Sequence, residues 1–298
     1  MSLTVNDFVK KYGDKAAVDH LSFQMKNSGV FGLIGTNGAG KTTTIRMMLG
    51  LLSADQGEAA WNGKRITRES LNFGYMPEER GIYMKTRVAE QLEYFAMLRG
   101  MKRNDAKKSV AKWMERLGVS EYRNMAAEKL SKGNQQKVQL IAAVVNDPEL
   151  IVLDEPFSGL DPVNTELLRD VIDEMVKNGK FVVLSSHQMP VVEDYCEEIV
   201  LLHKGRALLS GSLRDIKRGY GHTNLIVSCE KDVSEIADEA GLIRIGARAN
   251  ETEYKITGDK MAQSFLSAMI SKGVYPIKYE IREPSLHQIF VEKAGEDA

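Results

Sequence analysis

The stretch GLIGTNGAGKTTTIRMMLG, residues 32–50, constrains this chain more than any other. Gly35, Gly40, Lys41 and Thr42 fit the pattern G-x-x-x-x-G-K-[ST]. In that pattern the glycines let successive backbone N–H groups curl around phosphate oxygens, the lysine neutralises their charge, and the hydroxyl faces Mg²⁺. Gly38 adds freedom inside the loop, and Asn37 and Thr43 complete the candidate phosphate cradle. With glycine at about 7% of residues, a chance match in such a chain is on the order of 1 in 100, so a plain glycine turn is a weak alternative. Context weakens it further. VFGLIG ahead of the loop reads as a buried strand, and behind it Ile45, Met48, Leu49 and Leu52 recur at helical spacing. Strand, loop and helix N-terminus thus come in the order that phosphate binding uses, which predicts an α/β fold around a nucleotide site.

A second stretch, PELIVLDEPFSGLD (residues 148–161), opens on an apolar run, Leu150–Leu153, that reads as a strand buried on both faces. It ends in Asp154 and Glu155. A carboxylate at the end of a central parallel strand, beside a phosphate loop, can hold Mg²⁺, and Asp154 is expected in that role. Glu155 is expected to point the other way and to polarise an attacking water near the γ-phosphate. A further strand, Phe181–Leu184, leads into Ser185, Ser186 and His187, where an imidazole can reach a transferring phosphate.

Composition limits the partners. Forty Lys and Arg against 41 Asp and Glu give a net charge of -1, so no general electrostatic grip on nucleic acid or anionic lipid is expected. The two cysteines, Cys196 and Cys229, are far apart and outside metal-ligand spacing, which suits a reducing compartment. MSLTVNDFVKKYGDK carries no apolar run behind a basic start, and no apolar run approaches the ~20 residues of a membrane span. These features predict no signal peptide and no transmembrane segment.

Between the two stretches lies EKLSKGNQQKVQLIAAVVNDP, residues 128–148. Ser131 and Gly133 stand ahead of a helix whose Val138, Ile141, Ala142 and Val145 would face inward, leaving its free N–H groups to meet an anion. Leu130, Ser131, Lys132, Gly133 and Asn134 resemble the LSGGQ signature of ATP-binding cassette ATPases. The phosphate loop, this signature, the Asp154/Glu155 strand, SGLD at 158–161 and His187 follow in that family's order over roughly residues 3–215. The resemblance implies an α/β P-loop ABC ATPase cassette with a RecA-like core, an antiparallel β subdomain and a helical signature subdomain at about 86–145. It implies ATP and Mg²⁺, with Tyr12 stacking on adenine and Ser131 and Gly133 meeting the γ-phosphate on an opposite subunit. That requires a head-to-tail homodimer, or pairing with a similar ATPase chain, with Asp161 at the seam and Pro156 and Gly159 shaping its turn.

Where most cassettes carry a glutamine that touches Mg²⁺ and water, Glu78 follows Pro77 here. A carboxylate can ligand Mg²⁺ but repels phosphate. With Lys132, Asn134 and the run PEERGIY, this departure resembles the branch of bacterial exporters that includes sodium-efflux and drug-resistance types. The implied partner is an integral membrane permease on a separate chain, the implied place the cytoplasmic face of the membrane, and no nucleic acid is expected. A soluble ATPase of the same superfamily acting on ribosomes or DNA is the alternative, against which the chain has no long coiled-coil insertion, second cassette or basic tail. A nucleotide-sensing regulator without turnover is a third possibility, left open by Glu78.

In the family, helices between the Glu78 loop and the signature form a groove for a short helix of the membrane subunit. Tyr83, Met84, Tyr94, Phe95 and Met97 could line it, although amphipathic helices bury such stripes and most of the five are expected in the core. The Gly219/Gly221 pair marks a domain boundary, giving a cassette at 1–221 and an accessory domain at 222–298. The second part reads strand (Asn224–Ser228), helix (Val233–Ala240), strands (Leu242–Ala247 and Thr252–Thr257), helix (Lys260–Lys272) and strand (Val274–Ile281). That order fits a small ferredoxin-like α+β domain with an accessory or dimer-stabilising role.

Overall fold

The chain begins with alternating side chains, and this period of two makes a hairpin: β1 (Leu3–Tyr12) and β2 (Lys15–Met25) pair antiparallel, with Tyr12 opposite Lys15. The computed structural model describes residues 1–67, 72–79, 81–248 and 250–296; Arg80 of PEERGIY lies outside them. β3 (Gly29–Gly35) is buried throughout and leads through the phosphate loop into α1 (Lys41–Met48). There follow β4 (Gln56–Trp61), β5 (Lys64–Arg65), β6 (Phe73–Met76), α2 (Val88–Leu98), α3 (Arg103–Arg116) and α4 (Lys132–Val144). The chain continues with β7 (Leu150–Asp154), α5 (Pro162–Lys177), β8 (Phe181–Ser186), α6 (Met189–Tyr195), β9 (Glu198–His203) and β10 (Arg206–Ser212).

Two sheets result, one in the order β2-β1-β4-β5 and one in the order β10-β9-β3-β8-β7-β6. In the second, β3 pairs parallel with β8 and β9, and β7 parallel with β6 and β8. Strands buried on both faces are what a parallel sheet covered by helices demands, which explains the near-continuous apolar runs of β3, β7 and β8. One core joins both sheets through α1. Phe23 stacks on Phe31 at 5.1 Å, Trp61 meets Phe181 edge-on at 4.9 Å, and Ile45 and Met48 of α1 are fully buried with them. Each such side chain contributes about 1.5–3 kcal/mol on burial, which anchors the helix that carries Lys41 and Thr42.

The chain divides into two compact units, the first ending at Ser210 and the second beginning at Gly211. This lies ahead of the Gly219/Gly221 boundary expected from the sequence. Ser212 accepts the Asp215 N–H at 3.2 Å and starts a helix, α7 (Leu213–Tyr220), that belongs to the second unit, so the break comes before it rather than after. The second unit continues with β11 (Asn224–Ser228), α8 (Ser234–Glu239), β12 (Ile243–Arg248), β13 (Glu251–Lys255), α9 (Asp259–Ser271), β14 (Lys278–Arg282) and α10 (Leu286–Glu296). Its sheet runs β12-β13-β11-β14, and every pair in it is antiparallel, as the split β-α-β reading requires. The last strand starts four residues later than its apolar residues suggest. Gly273 at φ 68 and the bond from Val274 N–H to Met269 O finish α9, and Pro276 offers no N–H to a ladder. This unit has a core of its own, with Phe265 between Tyr254 and Tyr279.

Candidate active site

Three parallel strands end at one place: β3 in the phosphate loop, β7 in Asp154 and Glu155, and β8 in Ser185, Ser186 and His187. Ligand sites of open α/β sheets form at the carboxyl ends of the strands. Gly40 caps α1 at φ 105, and a Cβ there would stand 2.4 Å from Ala17 O, so both conformation and space call for glycine. Lys41, 6% exposed, turns back to donate to Gly35 O at 2.8 Å, and its Nζ is 3.3 Å from Glu155 Oε1. Thr42 Oγ1 donates to Asp154 Oδ2 at 3.0 Å, and Ser185 Oγ donates to Asp154 Oδ1. Thr42 and Asp154 thus present neighbouring oxygen donors, the chemistry that suits Mg²⁺, which takes one or two protein ligands and completes its shell with water and phosphate oxygens.

Glu155 departs from strand alternation. Its backbone is left-handed at φ 51, and its N–H donates to Ser185 O at 3.1 Å. The carboxylate therefore reaches the loop as well: its two oxygens are buried, Oε2 lies 2.9 Å from His187 Nδ1, and neither makes a well-aligned hydrogen bond. Two adjacent carboxylates converge on one phosphate loop where an extended strand would have sent them to opposite faces.

Burial pushes the Asp154 carboxyl above its ordinary 3.8, against the hydrogen bonds from Ser185 and Thr42 that lower it. A raised carboxyl value means that the folded chain holds the proton more tightly than the unfolded one. The stability tied to this group is present below pH 3.8 and is lost as pH rises through the folded value. Asp154→Asn, in EDTA, is therefore expected to melt above the parent at pH 7, with the gap closing in acid. Thermal scans over pH check this, and a lower midpoint at pH 7 counts against it. Burial, with the Asp154 charge adding to it, also holds the nearby Tyr75 phenol up at about 12, so it stays neutral.

Beside the loop lies a cleft of about 480 Å³, lined by Tyr12, Lys15, Ala17, Asn37, Gly38, Gly40, Lys41, Thr42, Thr43 and Glu78. It is of the size that small-ligand sites take. Tyr12 is 56% exposed at its mouth, at the end of β1. Ser131, Gly133 and Asp161 are not among its lining residues. Ser131 caps α4 by accepting the Asn134 N–H at 3.3 Å, and Asp161 caps α5 by accepting the Asn164 N–H at 2.9 Å, a bond that lowers the Asp161 carboxyl. A Cβ on Gly133 would stand 3.0 Å from Asn164 Nδ2, so the two helix starts approach closely there.

Two contributors escape sequence reasoning. Lys15 enters the cleft only because the hairpin sets it opposite Tyr12. Ser185 reads as a strand-end serine, yet β8 extends through Ser186, and Ser185 pairs in register with Asp154. Among the five candidate groove residues, the expectation of core burial does not hold for Tyr83, Tyr94 and Met97, which are 57%, 48% and 38% exposed. Val88, Leu92 and Ala96 already fill the buried stripe of α2, which leaves Tyr94 and Met97 on another face. With Tyr83 they line a groove of about 960 Å³ whose charged residues include Arg87, Glu90, Arg103 and Lys107.

Comparison with known proteins agrees with this architecture. Residues 18–158 match the family described as ABC transporter, and residues 211–294 match the one described as ATP-binding protein DrrA1-3-like, C-terminal domain. The ABC transporter ATP-binding protein YhaQ of Bacillus subtilis strain 168 is 42% identical over 294 residues, covering 98% of each chain. The linearmycin resistance ATP-binding protein LnrL of the same organism is 29% identical, again over 98% of each. A solved ATP-binding subunit of an ABC transporter superposes with a TM-score of 0.68 at 30% identity, over 74% of this chain and 93% of that one. With both sheets, the phosphate loop and the C-terminal unit thus accounted for, the chain belongs to the ATP-binding proteins of ABC transporters.

Proposed function

We propose that this chain is the ATP-hydrolysing subunit of an exporter, acting at the cytoplasmic face of a membrane with a permease on a separate chain. The observation that carries the reading is the set of Lys41, Thr42, Asp154, Glu155 and His187 at the ends of three parallel strands. Lys41 and the loop N–H groups neutralise and seat the phosphates, and Thr42 and Asp154, with Glu78 in the lining of the same cleft, would hold Mg²⁺. Mg²⁺, when bound, neutralises charge on the transferring phosphoryl group. Glu155 takes a proton from the attacking water, and His187, against the same carboxylate, orients it and the γ-phosphate. Tyr12 stacks on the base. The products are ADP and phosphate.

The exposed starts of α4 and α5, with Ser131, Gly133 and Asp161, are offered to the nucleotide of a second copy or a similar chain in a head-to-tail dimer. ATP then favours the closed pair, and hydrolysis the open one. The groove at Tyr83, Tyr94 and Met97 receives a short helix of the permease, and the DrrA-like C-terminal unit serves as an accessory domain. Export is supported by the resistance protein LnrL, which is similar along nearly the whole chain.

The test is to purify tagged Glu155→Gln protein from its native cells in mild detergent with Mg·ATP and to identify what accompanies it by mass spectrometry. A stoichiometric multi-span membrane protein is expected. Ribosomal proteins or DNA, with the chain absent from membranes, would move its work to the soluble alternative.

A further inference from the structure

The segment that carries Glu78 is irregular, and its backbone groups need partners that no ladder supplies. They find them on a buried glutamine of α4. Gln139, 7% exposed, donates from its single Nε2 to Pro77 O at 2.5 Å and to Glu79 O at 3.1 Å, the carbonyls on either side of Glu78. Gly81 lies beside the same groups: a Cβ on it would stand 3.9 Å from Gln139 Nε2 and 3.0 Å from Pro77 Cγ. Two other glutamines of the same helix act alike on other loops. Gln135 donates to Ala127 O and Leu130 O at the entry to α4, and Gln136 donates to Pro156 O at 2.5 Å, one residue beyond Glu155. The helix that Ser131 caps is thus bonded directly to the loop bearing Glu78 and to the turn after Glu155.

We infer that Gln139 is a positioning residue, which sets where Glu78 stands at the nucleotide cleft and ties that position to α4. The role at Mg²⁺ rests on the ATPase reading above; the hold on the loop does not. The amide suits the task because its two N–H groups satisfy two carbonyls at once and its planar head fixes their separation. No apolar residue of similar size can do this. A displacement of α4 at its Ser131 end therefore carries the Glu78 backbone with it, and the carboxylate responds to events at the signature without touching them.

The test uses full-length Gln139→Met, which keeps the volume and removes both donors, and Gln139→Glu, which turns a carboxylate on the same carbonyls. Hydrogen exchange followed by mass spectrometry is expected to speed up by about tenfold in peptides spanning 77–83, the effect of losing a buried bond that leaves its acceptors unpaired, with the β6 and β7 peptides unchanged. In titrations with a fluorescent ATP analogue, the Mg²⁺ concentration for half-maximal binding is expected to rise in both variants, while affinity in EDTA stays at the parent value. Glu78→Ala is expected to raise it too, and the pair Gln139→Met with Glu78→Ala to raise it no further. Unchanged exchange at 77–83 in both variants would overturn the inference. So would a loosened loop whose Mg²⁺ effect adds to that of Glu78→Ala, since Gln139 would then act elsewhere. A parent protein that binds no nucleotide would overturn the ATPase reading instead, and the exchange result would still decide whether Gln139 holds the loop.

Discussion

Glu155→Gln is expected to keep nucleotide affinity and to lose turnover by about 10²–10⁴-fold, the range that a positioned general base supplies. The substitution preserves shape. Its amide oxygen can accept from Lys41, whose Nζ stands 3.3 Å from Glu155 Oε1, and its N–H can face His187 Nδ1 across the 2.9 Å now spanned by the carboxylate. Two things disappear: the capacity to take a proton from water and the charge facing Lys41, the second of which lowers the melting temperature without touching the chemical step. Single-turnover phosphate release measures the loss, and size-exclusion chromatography with Mg·ATP should show an accumulated dimer, because the closed pair no longer hydrolyses its way open. Hydrolysis at the parent rate would remove Glu155 from the proposed role and leave the fold assignment untouched.

Lys41→Ala is expected to weaken nucleotide binding by about tenfold to a hundredfold, the worth of a hydrogen bond to a charged group. It should also destabilise the chain. Lys41 and Glu155 side chains are only 6% and 3% exposed, and removing one member of a buried pair costs about 3–5 kcal/mol because the other charge is left uncompensated. The two effects separate in a double variant. Lys41→Ala with Glu155→Gln carries no orphan carboxylate, so its melting temperature should recover most of the loss while nucleotide binding does not. Calorimetry and equilibrium titration of the four proteins in the cycle decide this, and a double variant as unstable as Lys41→Ala would show that the ion pair is not the source of the cost.

Much of this architecture was legible because its signals are local. The phosphate loop announces itself through glycines that few other contexts require, and β3 and β7 through apolar runs that only strands covered on both sides carry. The split β-α-β order of the C-terminal unit followed from alternating periods of two and 3.6, and the resemblance supplied the cassette. What was not legible depends on register and on backbone excursions. Ser185 matters because it pairs with Asp154 across two strands far apart in sequence, and no feature of its neighbours marks it. Glu155 reaches the loop because one residue leaves the extended region, which an apolar run ending in DE does not disclose. Tyr94 and Met97 read as core because spacing shows which faces of α2 are apolar but not how many of them find a partner within the chain. Gln139 is the extreme case: a polar residue in a helix reads as solvated until the loop that needs its amide is in place.

The two units each carry a complete core, one around Phe31 and Ile45 and one around Phe265. Such a chain need not melt as one body. Where each core unfolds in its own cooperative transition, a nucleotide seated on the phosphate loop raises the first by mass action. A single melting temperature quoted for the whole chain would average two quantities of different meaning. Conversely, the transition that fails to follow nucleotide concentration becomes an internal reference, against which substitutions in the cassette and in the C-terminal unit can be told apart within one experiment.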